Sequence, residues 1–260
     1  MKDAPAHPVD LIRPAERIFD DAAIGAEIDA AFTAAREAGQ DAAELRKRIV
    51  AILSRAIKAG RAEIAEGLAA EPLDARAATR AYTWLTDCIV HAALDVATRH
   101  MHPLPTPTDS ERIAVFAVGG YGRGEMAPYS DVDLLFLTPY KITPWAESVI
   151  ESTLYILWDL RFKVGHASRT VRDCLRLGGE DFTIRTALLE LRFLFGDAEL
   201  AETLRRRLRA ELFDVSAREF IEAKLQERGA RHAKQGVRYM VEPNVKEGKG
   251  GLRDLQCLFW

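Results

Sequence analysis

Val118 to Leu137 reads VGGYGRGEMAPYSDVDLLFL, and this stretch decides the fold. Overlapping its start, Ile113 to Val118 (IAVFAV) is a short apolar run bounded by Gly119-Gly120, which predicts a buried strand ending in a tight turn. Asp131 to Leu137 reads as a second strand. Side chains alternate along a strand, so Asp131 and Asp133 share one face, about 7 Å apart along the chain, while Val132 points into the core. Two like charges so placed repel, and at a buried strand edge neither is fully hydrated. A divalent cation removes that cost. Carboxylate oxygens suit Mg²⁺ better than zinc, and a Mg²⁺ pair clamps the attacking and leaving oxygens of a phosphoryl transfer. Gly119, Gly120, Gly122 and Gly124 lack Cβ atoms, so backbone N–H groups can approach a phosphate closely, and Arg123 adds a delocalised charge beside them. Paired acids often only cap a turn and glycine turns are common, so it is the combination that points to phosphoryl chemistry. The GGxGxG spacing is not the dinucleotide fingerprint, and no Gly-Lys-Ser or Gly-Lys-Thr marks a P-loop.

Gly119-Gly120, ten residues, then Asp131-Val-Asp133 resembles the signature of the DNA polymerase β-like nucleotidyltransferase superfamily. The wording of the stretch narrows the resemblance to the bacterial PII uridylyltransferase/uridylyl-removing enzymes, with three further matches in order. These are LWDLRFKVGHASRTVRDCL (Leu157 to Leu175), TALLELRFLFGD (Thr186 to Asp197) and EPNVKEGKGGLRDLQ (Glu242 to Gln256). The resemblance implies an α+β protein: a helical N-terminal region, a polymerase β-like nucleotidyltransferase core with a small mixed sheet flanked by helices, and a helical C-terminal segment cut short. It implies transfer of UMP from UTP to a tyrosine of the PII signalling protein with release of pyrophosphate, in the cytoplasm, with Mg²⁺ on Asp131 and Asp133. Gly119, Gly120 and Arg123 are expected to orient the triphosphate, and Ser130 to offer it a hydrogen bond. A third metal-binding acid usually stands on the returning strand of this superfamily. Here that strand reads FKVGHASRT, with Gly165 at about the acid's position, and His166 and Arg169 are candidates for contacting substrate, against the plainer readings of a satisfied strand histidine and a surface ion pair.

The 260 residues suffice for one large domain or two smaller ones. Lys plus Arg of 36 against Asp plus Glu of 39 leaves a net charge of -3, so nothing global favours nucleic acid or an anionic membrane as partner. Cys88, Cys174 and Cys257 lack metal or redox spacing, which fits buried thiols in a reducing compartment. No signal peptide or membrane span is legible. The expected organisation is a flexible N-terminus over 1–19, a helical region over 20–104, the nucleotidyltransferase core over 105–198 and the start of a truncated helical domain over 199–260.

Leu45, Ile49, Ile52, Leu53 and Ile57, then Leu85, Ile89, Ala93, Leu94 and Ala97, recur at helical spacing, so three or four helices are expected before residue 101, punctuated by Gly39, Gly60 and Pro72. His91 belongs to one of these helices. His100 and His102 are read as solvated residues at a helix end, since no further metal ligand lies in sequence reach. Thr143-Pro144 starts a helix running to about Leu160, ahead of a strand over Phe162 to Thr170. Thr183 to Phe195 reads as another apolar helix closed by Gly196-Asp197. The arginines of Leu204 to Leu212 read as a solvated helix face. Lys246, Lys249 and Arg253 surround a glycine turn, Gly248 to Gly251, that opens a helix; this has the form of an anion cradle, and the resemblance assigns it a nucleotide or active-site role against the alternative of a charged surface loop. The chain stops in an apolar helix, LQCLFW, without a stop signal, so an N-terminal part of a longer protein is expected. The resemblance further implies that an HD-type phosphohydrolase domain and two ACT domains lie beyond these residues. Two rivals remain: another nucleotidyltransferase of the superfamily, such as a glutamine synthetase adenylyltransferase, and a non-catalytic nucleotide-sensing module.

Overall fold

The computed structural model describes residues 10–106, 108–234, 242 and 244–260. They form two compact units, one within Met1–Val171 plus Glu190–Glu202 and the other within Arg172–Leu189 plus Thr203–Trp260. The expected flexibility of residues 1–9 lies outside the described residues. Residues 10–19 are not loose: Ile12, Ile18 and Phe19 are buried around a single turn, α1 (Ala15–Ile18).

Three long helices follow, α2 (Asp21–Ala38), α3 (Ala42–Ala70) and α4 (Ala75–Asp95), the last continuing into a π-helical turn over Val96–Met101. Each begins where an aspartate accepts a backbone N–H that has no intrahelical partner: Asp20 from Ala23 at 3.0 Å, Asp41 from Glu44 at 2.7 Å, and Asp74 from Ala77 at 3.1 Å. Gly39 ends α2 in the left-handed conformation, as expected. Gly60 does not punctuate. It lies inside α3, where a Cβ would stand 2.5 Å from the Ile18 carbonyl oxygen, so the glycine admits the N-terminal segment against the helix rather than stopping it.

The four-stranded sheet has the order β3-β2-β1-β4, with β1 (Ala114–Ala117), β2 (Val132–Thr138), β3 (Val164–Thr170) and β4 (Arg192–Gly196). β1 pairs antiparallel with β2 and β4, whereas β2 and β3 run parallel, joined by α6 (Pro144–Asp159). Thr143 caps α6 through Ala146 N–H at 3.2 Å with Pro144 in its first turn, as the sequence indicated. Val115, Ala117, Val132, Leu134 and Phe136 pack into the same buried cluster as Ile52, Ile89, Leu94, Ile150 and Leu157. The helices and the sheet therefore share one core, and the expected division near residue 104 does not divide it. Among the described residues no helix is long and apolar enough to cross a membrane. Cys88 and Cys174 are buried free thiols, and Cys257 is half-buried.

β4 corrects the reading of Thr183 to Phe195 as one helix. α8 (Phe182–Leu189) ends early, and RFLFG pairs with β1, whose outer edge would otherwise keep unpaired N–H and C=O groups. Gly196 closes the strand at φ +94°, and Asp197 beyond it accepts two bonds from Arg112, at 2.5 and 3.0 Å. Those bonds hold the Asp197 carboxyl below its ordinary range. A depressed carboxylate contributes stability above its unfolded pKa and loses it as pH falls through the folded value. Arg112→Gln is therefore expected to cost about 1.5 kcal/mol at pH 7, as for a hydrogen bond to a charged group. In thermal melts the deficit should shrink below about pH 4, the ordinary carboxylate range; a deficit independent of pH would contradict the assignment.

The second unit holds α8, most of α7 (Val171–Glu180), the later part of α9 (Ala198–Leu208), α10 (Ala217–Lys234) and α11 (Leu252–Phe259). Buried Arg185 donates to Ser216 Oγ at 2.5 Å and lies over the rings of Phe182 and Phe220. Arg207 pairs with Glu211, in keeping with a solvated helix face there.

Candidate active site

β1 delivers the chain into Gly119–Gly122, which forms one short helical turn, α5, rather than a simple reversal. Gly119 has φ +61°, a conformation that side chains rarely tolerate. The N–H groups of Gly119, Gly120 and Tyr121 open this turn, where helix geometry provides no intrahelical acceptor. After a loop closed by Ser130, the chain enters β2. Asp131 precedes the strand and is exposed; Asp133 lies within it and is half-buried.

The Asp133 carboxylate sits between two glycines. A Cβ on Gly119 would stand 3.3 Å from its Oδ2, and a Cβ on Gly165 would collide with its Oδ1. Gly165 is the register partner of Asp133 on the parallel strand β3. The position where the resemblance led us to look for a third acid is thus directly opposite Asp133, and the space an acid's stem would need is taken by the Asp133 carboxylate. Among the described residues no cluster of three His, Cys, Asp or Glu side chains stands ready to hold a metal. The available donors are the two aspartates. Burial, and then the charge of Asp131, push the Asp133 carboxyl above its ordinary range. An anionic pair held this way is matched to a cation on its exposed side.

The other residues singled out from sequence divide clearly. Arg123 lies beside the glycine turn, its Nη2 3.6 Å from where a Gly120 Cβ would be, but its guanidinium is already bonded to Glu190 at 2.5 Å and to Glu125 at 3.0 Å. It therefore brings a shared charge to the site. Ser130 Oγ accepts the Ala127 N–H at 2.9 Å, closing a turn in which Tyr129 has φ +66°. Arg169 shares the Asp133 face of the sheet but is four residues further along β3, about 13 Å away. His166 is paired with Leu134 and so points to the opposite face, where its ring meets Trp158 edge-on at 6.3 Å. That face is turned away from the Asp133 carboxylate, and His166 is exposed there.

Lys246, Lys249 and Arg253 belong to the second unit. The backbone cradle expected there is filled from within the chain. Gly250 N–H donates to Asp254 at 2.8 Å, and Gly251, Leu252 and Arg253 N–H donate to carbonyls of Gly248, Val245 and Lys246, each at 2.9 Å. Arg253 bonds Glu247 and Gln256, while Asp254 also pairs with Arg231 and His232. Donors so engaged are not available to a phosphate, which corrects the cradle. The exposed ammonium groups of Lys246 and Lys249 remain.

Sequence reasoning missed the groups that fix the glycine turn. Asp87 on α4 takes both arms of Arg192 on β4, at 2.7 and 3.0 Å, and Arg192 donates onward to the Tyr121 carbonyl at 3.1 Å while lying over the Tyr121 ring. Gly122 is so close to the Glu190 carbonyl that no side chain fits. Met126 N–H reaches Thr83 at 3.3 Å. Glu190 and Arg192 both fall within TALLELRFLFGD, so the resemblance held a signal for them that spacing did not.

Comparison with known proteins adds to this geometry. The family model for glutamate-ammonia ligase adenylyltransferase matches residues 20–157, and that for GlnD PII-uridylyltransferase matches residues 219–260. Bifunctional uridylyltransferase/uridylyl-removing enzymes are similar along nearly the whole chain. That of Ruegeria pomeroyi is 68% identical over 243 residues, covering 94% of this chain and 26% of the relative. That of Cereibacter sphaeroides is 59% identical over 251 residues, 96% of this chain and 27% of the relative. That of Caulobacter vibrioides is 50% identical over 250 residues, 94% of this chain and 26% of the relative. The chain spans about a quarter of the length of the curated relatives it matches.

Proposed function

The chain belongs to the nucleotidyltransferase family described by the glutamate-ammonia ligase adenylyltransferase model and is similar along nearly its whole length to bifunctional uridylyltransferase/uridylyl-removing enzymes, and from that premise we propose that it is the catalytic core of a cytoplasmic PII uridylyltransferase. In this reading a tyrosine oxygen of PII attacks the α-phosphorus of UTP, the bond from that phosphorus to the oxygen bridging to the β-phosphate breaks, pyrophosphate leaves with that oxygen and the phenol proton passes to solvent. The observation that carries the reading is the Asp133 carboxylate held between Gly119 and Gly165, with Asp131 beside it.

Each residue has a role that its position supports. Asp131 and Asp133 would hold Mg²⁺, which when bound neutralises charge on the phosphates and on the attacking oxygen. The N–H groups of Gly119 and Gly120 would orient the triphosphate, together with the Arg123 guanidinium that Glu125 and Glu190 hold beside the turn. Most of the acceleration comes from holding the reactants in line and from neutralising charge on the phosphates.

A Mg²⁺-dependent assay with labelled UTP or ATP and purified PII tests this. Label passing from UTP alone supports uridylyl transfer; label from ATP instead places the chain with the adenylyltransferases whose model matches residues 20–157. Metal-dependent nucleotide binding without transfer favours a sensing module. Gly165→Ala is expected to lower kcat at least about tenfold, because the new methyl displaces the Asp133 carboxylate and misaligned groups lose rate steeply. Its KM for UTP should change little, and unaltered kcat would show that the glycine is not needed at that contact.

A further inference from the structure

A cavity lies in the first unit, on the helical side of the sheet and so on the face opposite Asp133. Its volume is about 550 Å³, within the range of about 300–1,000 Å³ typical of small-molecule sites. α2, the start of α3, the π-helical turn and α6 line it. Leu45, Ile49, Val96 and Ile156 make an apolar floor. The polar lining consists of Arg36, Gln40, Arg46, His100 and His102, and no aspartate or glutamate is among the lining residues.

Several features make this wall more than a gap between helices. The π-helical turn puts an extra residue into the last turn of α4, a distortion that recurs at functional sites. It carries His100, which is not the solvated end expected from sequence: its ring stacks on Phe32 at 4.2 Å and its Nε2 lies 3.1 Å from Asp29, outside the lining. His102 is likewise fixed, through Ser152 at 2.8 Å. Arg46 is steadied on its outer side by Asp159 at 3.1 Å and by the Tyr155 ring. Arg36, at the rim, has no carboxylate partner among the described residues. A rim with a free guanidinium above an apolar floor matches a ligand with one anionic head and a hydrocarbon body.

We propose that this cavity binds a small amphiphilic anion, a carboxylate on an aliphatic or aromatic body, with its head at Arg36 and Arg46 and its body on Leu45, Ile49, Val96 and Ile156. The site is separate from the phosphoryl-transfer site and does not depend on that function.

Isothermal titration of the chain with sodium decanoate, decanol and sodium acetate tests it. Decanoate should bind with one-to-one stoichiometry, at least tenfold more tightly than decanol, which lacks the charge, and than acetate, which lacks the body. Arg36→Glu, at an exposed position, should weaken decanoate at least fivefold. Ala42→Trp, at the exposed first residue of α3, should block the cavity and abolish binding while the melting curve stays cooperative. Absence of decanoate binding, decanol bound as tightly as decanoate, or decanoate affinity unchanged in both variants would overturn the proposal.

Discussion

Asp131→Asn and Asp133→Asn are each expected to lower nucleotidyl transfer at least about 1,000-fold, the scale on which charge stabilisation at a phosphoryl-transfer centre is lost. The fold should survive. Asp131 is exposed, and Asp133 is held above the ordinary carboxyl range by burial and by its neighbour, so its ionised form is disfavoured in the folded chain. For an acid whose folded pKa is raised, the folded state binds more protons than the unfolded state between the two values, so stability falls as pH rises through that window. In metal-free buffer wild type should therefore lose stability from the ordinary aspartate range, about pH 4, up to the raised value of Asp133. Asp133→Asn should lack that decline and melt at or above wild type at neutral pH. Added Mg²⁺ should raise the wild-type melting temperature and leave Asp133→Asn nearly unmoved. Transfer by either variant at a near-normal rate would remove the aspartates from the chemistry. A Mg²⁺ shift of equal size in wild type and variant would move the metal elsewhere.

What could be seen in advance follows from how local each determinant is. The glycine turn, the aspartate strand and the Thr143-Pro144 helix start are written within a few residues, as alternation, glycine placement and a capping hydroxyl, and the structure shows all three. β4 was not legible because LRFLF is apolar at every second and every third position, and its strand state depends on the free edge of β1, about 75 residues earlier. Gly60 looked like a breaker because sequence shows only the missing side chain, not the Ile18 carbonyl that occupies its place. Near Gly250 the local pattern was an anion cradle, but Asp254, four residues on, supplies the anion itself. Sequence could suggest that the position opposite Asp133 holds Gly165 in place of an acid. It could not reveal that the neighbouring carboxylate already fills the room.

The Asp87–Arg192 pair shows how a distant contact governs the site, and its removal should have the largest effect on stability. Asp87 is 9% exposed in its side chain and Arg192 32%, and the two meet in a bidentate bond across 105 residues of chain. Asp87→Ala leaves a largely desolvated guanidinium without its counter-charge, a change that costs about 3 kcal/mol. For a chain of this size that is a fall of about 6–12 °C in melting temperature. The loss should reach the chemistry as well, since Arg192 also holds the Tyr121 carbonyl, and with it the glycine turn, against β4. Arg192→Lys keeps the charge but not the planar fork, so it should retain more stability than Asp87→Ala and still slow transfer through kcat. In the double variant Asp87→Leu, Arg192→Met the uncompensated charge is gone, so it should be less destabilised than the sum of Asp87→Leu and Arg192→Met measured singly. Its transfer rate should nevertheless stay low, because nothing then holds Tyr121. Additive destabilisation would show that the pair acts as two independent surface charges. Full activity in the double variant would show that the glycine turn keeps its geometry without help from α4.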